Sequence, residues 1–481
     1  RAGLAGARRL TLRCGGSGVL WTRARPRKPA AMTDRMSTTT HARETLVLGL
    51  PLVGSHLAQM ALHVTDTVMV GWYGVVALAS VVLGASSFFI VFVVGSGFAK
   101  AVMPMVAAAL GRDDETQVRR DTRMGIWLSI LYGLAVYPIF WWSESILLAL
   151  AQEPEVAALS RDYMRIAGLG MVPALIVTVL QSYLSALHRT QVVLWVTLAA
   201  VVVNIGVNWA LIFGNGGFPE LGVRGAAVAT VLVQVLSLAI LAVYAHLLPE
   251  LRRFHLFQRF WRPDWHAMAK VFRLGLPIGL TGLAEGGMFQ ASALMMGSIG
   301  TVQLAAHGIA LEVVALTFML HVGLSSAATI RIARFDGQGD RQALRQAAKV
   351  AVVISFGVVI ASVALLLLFP RPIVALFLDL TKPESAAILA YGTVLLGVAA
   401  LFQLADGMQV MALGLLRGVQ DTRVPLILAA VSYWMIGIPC SYVLAFPLGF
   451  GGVGLWFGLV IGLFCASGSL MWRFWHMVRV A

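Results

Sequence analysis

Four acids stand where a chain can least accommodate them. Asp66 lies in "HVTDTVMVGW" (63–72), Glu285 in "GLAEGGMFQ", Glu312 in "HGIALEVVALTF" and Asp406 in "LFQLADGMQVM". A carboxylate carried to the middle of a lipid-crossing helix costs about 3 kcal/mol even on the translocon insertion scale. Burial disfavours the charged form of a carboxyl, so an acid facing an intermittently wet cavity can take up a proton on one side and release it on the other. The same oxygens suit a small hard cation. The plainer alternative is a neutral, hydrogen-bonded acid bracing two helices. That explanation serves one acid better than Asp66, Glu285 and Asp406 together, while Glu312 fits either.

Other polar residues share these apolar runs. In "VVNIGVNWALIFG", Asn204 and Asn208 are four apart and therefore on one helical face. Thr230 in "AAVATVLVQ" can bring a hydroxyl from the next run. Together with Asp66 these three would make an oxygen-lined cation site; alone, amides in a membrane helix often only bond a neighbour, at about 0.6 kcal/mol. Lys100 has a long stem that is expected to snorkel rather than serve as counter-charge to Asp66. Gln59 is a further candidate for contact with cation or substrate, while His63, His307 and His321 are expected mainly to pack or to bond between helices.

The elements that hold these residues follow from composition. Hydrophobic residues make up 59% of the 481 and charged residues 12%, against roughly 25% charged in a soluble domain; mean hydropathy is +0.83. Twelve apolar runs are long enough to cross a bilayer, near 46–72, 75–110, 124–142, 161–187, 192–213, 225–247, 269–298, 302–334, 348–369, 386–416, 424–446 and 452–475. The connections after even-numbered runs, with the C-terminal segment, hold 20 of the 26 basic residues beyond position 43. By the positive-inside rule both termini are expected in the cytoplasm. The net charge of +14 does not point to nucleic acid, because residues 1–43 alone carry ten arginines and lysines against Asp34. Residues 1–44 are expected to form a disordered basic tail. Its first 35 residues also fit translated sequence upstream of a start at Met32 or Met36, or an Arg-rich, acid-poor transit peptide. Cys14, Cys440 and Cys465 show neither disulfide nor metal-ligand spacing.

The chain repeats itself. Residues 49–80 lie over 275–306 at a constant offset of 226: Gly49-Leu50-Pro51 falls on Gly275-Leu276-Pro277, Met69 on Met295 and Gly71 on Gly297. The register survives the loops, where Gly111, Asp114 and Arg119 meet Gly337, Asp340 and Arg345. The expected fold is an all-α integral membrane protein, with twelve helices in two six-helix bundles related by a pseudo-twofold axis along the membrane normal. The expected divisions are an N-terminal lobe over 45–250, a cytoplasmic linker over 251–268 and a C-terminal lobe over 269–481. The acids break the repeat: Asp66 falls opposite Ser292 and Glu285 opposite Gln59.

"LAQMALHVTDTVMVG", "LAAHGIALEVVALTFMLHVGLSSAATIRIARFDG" and "ADGMQVMALGLLRGVQDTRVP" resemble the multidrug and toxic compound extrusion (MATE) family, in its NorM-like branch, over about 45–478. The resemblance implies export of organic cations or drugs from the cell across the inner (plasma) membrane, driven by inward flow of Na+ or H+. By position it implies a cation-coupling role for Asp66 with Asn204, Asn208 and Thr230. For Glu285 and Asp406 it implies a second acidic site binding cation or drug. No structural metal and no cofactor are expected beyond a transported Na+ at either set, and a monomer is implied. The sequence departs from the family where Gly308 and Glu312 replace a usual glutamine and asparagine.

Two other classes remain open to comparison. A lipid-linked sugar flippase would share the architecture but needs basic residues for a pyrophosphate, and Lys100 is the one basic residue at membrane depth. An intramembrane enzyme would need a motif such as HExxH, GxSxG or DDxxD, and none occurs. The chain is expected not to be an enzyme.

Overall fold

A computed structural model describes residues 37–256, 258 and 260–480. The expectations for residues 1–35 lie outside the described residues. Among the described residues, twelve helices are long and apolar enough to cross a membrane: α1 Thr38–Tyr73, α2 Val75–Gly111, α3 Glu115–Trp141, α4 Pro154–Ala186, α5 Thr190–Phe213, α6 Val223–Leu247, α7 Trp265–Ile299, α8 Thr301–Gln338, α9 Arg341–Leu368, α10 Ser385–Gly418, α11 Arg423–Ala445 and α12 Gly451–Arg479. Gly168–Gly170 form a 3₁₀ turn inside α4, and Val431–Gly437 a π-helical stretch inside α11.

Several helices start earlier than the hydropathy runs, and caps explain it. The side chains of Ser37, Asp114, Asp264 and Asp340 accept the backbone N–H of Thr40, Gln117, Ala267 and Ala343. Each such cap is worth about 1 kcal/mol and satisfies a donor the helix start leaves free. Helix therefore begins at Thr38 inside the expected tail of 1–44, at Trp265 inside the expected linker of 251–268, and at Glu115 and Arg341 inside charged segments read as loops. Asp114 and Asp340 are repeat mates doing the same job.

Packing repeats as the sequence does. In the first half α1 packs on α5, α2 on α3 and α4, and α6 on α4 and α5. Six helices later, α7 packs on α11, α8 on α9 and α10, and α12 on α10 and α11. The halves meet by exchange: α2 against α7, α1 against α8, and α2 against α8.

Small residues make that seam tight. A Cβ placed on Gly97 would stand 2.4 Å from both the Gly275 carbonyl oxygen and the Gly279 nitrogen. Its repeat mate Gly323 would put one 2.5 Å from the Val53 nitrogen on α1. On Gly111 it would stand 2.2 Å from the Arg334 oxygen, and on Gly337 2.2 Å from the Ala108 oxygen. Ala108 and Arg334 are also 226 apart, so each half presents the same patch to the other, as in a symmetric dimer. These contacts lie toward the arginine-rich end of the helices. In α2, Gly95 to Ala109 are largely buried, whereas Val82, Phe89 and Ile90 nearer the far end are exposed.

Polar ties reinforce the basic end. Arg331 on α8 donates from Nη1 to the His41 carbonyl at 2.6 Å and to Thr45 Oγ1 at 3.2 Å, while its Nη2 meets His41 Nδ1 at 2.7 Å. Arg334 reaches His188 Nε2 at 2.9 Å. Arginine has no acceptor, so both imidazole nitrogens take the accepting role. Burial and the Arg334 guanidinium hold the His188 imidazole below its usual range.

The seam carries a stability prediction. Gly337→Ala should cost about 1–3 kcal/mol, as overpacking does. Gly357→Ala, with nothing within 4 Å, should stay within about 0.5 kcal/mol. Thermal unfolding of the purified protein in detergent measures both; equal melting would remove the argument for a close-packed seam.

Candidate functional site

The first half builds its site around Asp66, on the part of α1 nearer its far end. Asn204 and Asn208, one turn apart on α5, point their amides at the same carboxylate oxygen: Nδ2 of each donates to Asp66 Oδ1, at 3.0 and 2.6 Å. Asn208 Nδ2 also meets Asn204 Oδ1 at 3.2 Å. Both asparagines are buried. Thr230 donates to the Ala226 carbonyl at 3.0 Å and borders the carboxylate. One buried acceptor, Asn208 Oδ1, has no protein partner. Orphaned buried acceptors are uncommon and call for an explanation. Here it lies beside a carboxylate and a hydroxyl, an oxygen set that a small cation or a proton-carrying acid would use.

The second half builds a different site at a different depth. Glu285 on α7 accepts from Gln409 Nε2 at 3.2 Å, and Asp406, one turn before Gln409 on α10, stands within electrostatic range of Glu285. Asp406 is 1% exposed, and neither of its oxygens has a hydrogen-bond partner; Gln409 Oε1 and the Tyr433 hydroxyl are likewise unpartnered. Tyr433, in the π-helical stretch of α11, borders both acids. The wider turn of a π segment shifts the register of the side chains around it and often marks function.

The geometry sorts the sequence candidates. It brings Asp66, Asn204, Asn208 and Thr230 into one cluster and Glu285 and Asp406 into another. Glu312 is exposed on α8 and has no hydrogen bond or ion pair among the described residues; it does not border either acid pair. Gln59 turns toward Gln181, 3.5 Å away on α4, not toward Asp66. Lys100 is exposed on α2, within electrostatic range of Glu285, Arg417 and His56. His307 accepts from Trp456 Nε1 at 3.0 Å, and His321 is fully buried beside Ser355 at 3.4 Å, both in the expected packing roles.

Four contributors escape sequence reading. Tyr163 on α4 borders Asp66 and Thr230; Gln409, Tyr433 and Arg417 surround Glu285. Tyrosine and glutamine carry no charge to flag them in an apolar run. Arg417 reads as part of a basic loop, yet it belongs to the last turn of α10 and faces Glu285.

Comparison with known proteins bears on the family and the fold. A MatE family model matches residues 51–210 and 277–443, two segments whose starts are one repeat apart. A "Probable multidrug resistance protein NorM" from Rhizobium meliloti (strain 1021) is 48% identical over 440 residues, covering 92% of this chain and 94% of that protein. One of the same name from Agrobacterium fabrum is 47% identical, covering 92% and 95%. A crystal structure of MATE in complex with MaL6 has the same fold, with a TM-score of 0.83 at 20% identity over 92% of this chain and 97% of that one. Matched across both halves, the chain belongs to the MatE family, the multidrug and toxic compound extrusion transporters.

Proposed function

We propose that this protein is a cation-coupled antiporter that exports organic cations and drugs across the inner membrane. The observation that carries the reading is one carboxylate site in each half, each beside buried oxygens that no protein group satisfies. A cation or a proton entering from the far side neutralises Asp66 or the Glu285/Asp406 pair, and a cationic substrate competes for the same charges. In a one-for-one exchange of monovalent cations the membrane potential cancels, so the coupling ion's own concentration gradient drives export, at about 1.4 kcal/mol for each tenfold.

The orientation belongs to this proposal. Arginine-rich connections put the basic end, where the seam is tight, in the cytoplasm with both termini. In this reading the coupling ion reaches both acid sites from outside. The proposed lobes are α1–α6 and α7–α12, joined through the segment after α6, and the working unit is a monomer. Lys100 and Arg417 are the observations that favour a flippase for lipid-linked sugars. A pyrophosphate bound there would also face Glu285 and Asp406, which opposes that reading.

Two measurements test the antiport. Ethidium efflux from energised vesicles should fall at least about tenfold in Asp66→Asn and in Glu285→Gln, since each removes a membrane-depth carboxylate that the coupling ion neutralises. Undiminished transport in both would refute the coupling role. Efflux in liposomes given a sodium gradient alone, then a pH gradient alone, should run with one and stall with the other. Transport under neither gradient would end the antiport reading.

A further inference from the structure

A polar cavity lies away from both acid sites, at the basic end of α3. Its volume is about 380 Å³, and Thr116, Arg119, Arg120, Arg123, Gln258 and Arg262 line it. The α3 contributors are spaced i, i+3, i+4 and i+7, so they form one stripe along the helix. Gln258 and Arg262 come from the segment between α6 and α7. Arg123 is buried, and its Nη1 donates to the Gln258 carbonyl at 3.0 Å. That bond fixes the far wall of the cavity to the helix.

Four guanidinium groups around one cavity repel one another unless anions offset them. Asp264, 3.4 Å from Arg120, offsets that one guanidinium and also caps α7, while Glu115 turns away to Arg253 at 3.5 Å. Arg119 and Arg262 have no ion pair among the described residues. The cavity is a concave cationic surface with donors to spare, in the fork geometry that grips phosphate.

A second, independent feature gives its depth. The stripe on α3 continues one turn further to Trp127, which stacks on Phe260 at 5.7 Å and donates its indole N–H to the Phe260 carbonyl at 2.9 Å. Trp261, on the same connecting segment, and Trp265, the first residue of α7, are 73% and 69% exposed. Exposed tryptophans beside arginines mark the headgroup level of a bilayer, and basic pockets between helices at that level take acidic lipid headgroups. A free anion would need no aromatic wall facing lipid.

We propose that this cavity binds the phosphate headgroup of an anionic phospholipid from the leaflet at the basic end. The headgroup joins α3 to the connection between the two halves, and the acyl chains run past Trp261 and Trp265. This site is independent of the efflux reading, and nothing in it touches Asp66, Glu285 or Asp406.

The test uses the full chain, delipidated in detergent, titrated with fluorescent short-chain phosphatidylglycerol or phosphatidylcholine. Phosphatidylglycerol should bind about tenfold tighter or better, and Arg119→Gln with Arg262→Gln should lose that margin, since each basic side chain near the surface adds attraction. The lipid should resist displacement by inorganic phosphate. Arg423→Gln with Arg479→Gln removes equal charge from the same end and should leave binding unchanged. Should the pocket pair melt early, Arg119→Gln alone is expected to show a smaller loss of the same sign. Equal binding of the two lipids, equal loss in the control pair, no loss in the pocket variants, or displacement by phosphate alone would each overturn the proposal.

Discussion

A carboxylate stays at membrane depth only where something other than hydrocarbon faces it, and most of this molecule follows from that constraint. Asp66 has two asparagine amides on one oxygen and leaves the other side of its site to Thr230 and Tyr163. Glu285 has Gln409, and Asp406 has no hydrogen bond to either oxygen. Solvation is thus partial by construction: enough to keep the acids in place, too little to leave them indifferent to a proton or a cation. A fully bonded acid would brace helices and do nothing more. The orphaned oxygens are what distinguish these sites from packing.

The repeat supplies the frame that these exceptions occupy. Gly97 and Gly323, Gly111 and Gly337, and the caps Asp114 and Asp340 keep both identity and task across the offset of 226. Seam and caps are therefore common property of the halves. Asp66 and Glu285 are not; their mates are Ser292 and Gln59. Ser292 is buried and bonds its own helix and His307, while Gln59 reaches Gln181. Each half has spent on helix contacts the position that the other keeps for charge, so the two sites stand at different depths instead of facing as a symmetric pair.

Much of this was legible in the residues, and what was not has identifiable causes. Hydropathy and arginine spacing count the helices correctly because each span must be apolar over its length. The same measure misplaces helix starts, since a capping aspartate and a charged first turn are polar yet helical. Among site residues, the charged ones and the i, i+4 asparagine pair announce themselves. Tyr163 and Tyr433 do not, because an aromatic in a membrane run looks like core until its hydroxyl is found beside an acid. Lys100 shows a limit of the same kind: nothing in its own run says that Glu285 and Arg417, on other helices, stand within electrostatic range.

The close contacts at the basic end also set the terms on which the halves can part. Backbone meets backbone at Gly97, Gly111 and Gly337, so separation there exposes polar main chain. It also uncovers apolar side chains that pack across the seam: Leu48 and Leu52 with Ala327, Ile330 and Ala333, and Ala101, Met105 and Met124 with Val271, Leu274 and Ile278. Polar contacts add to these: Arg331 on His41 and Thr45, and Arg334 on His188, with the imidazole nitrogens as acceptors. Water can replace hydrogen bonds of this kind at small net cost, whereas apolar surface drawn out of its packing has no such substitute. The strength of the seam at the basic end is therefore apolar and close-packed, and the arginine–histidine contacts fix its register.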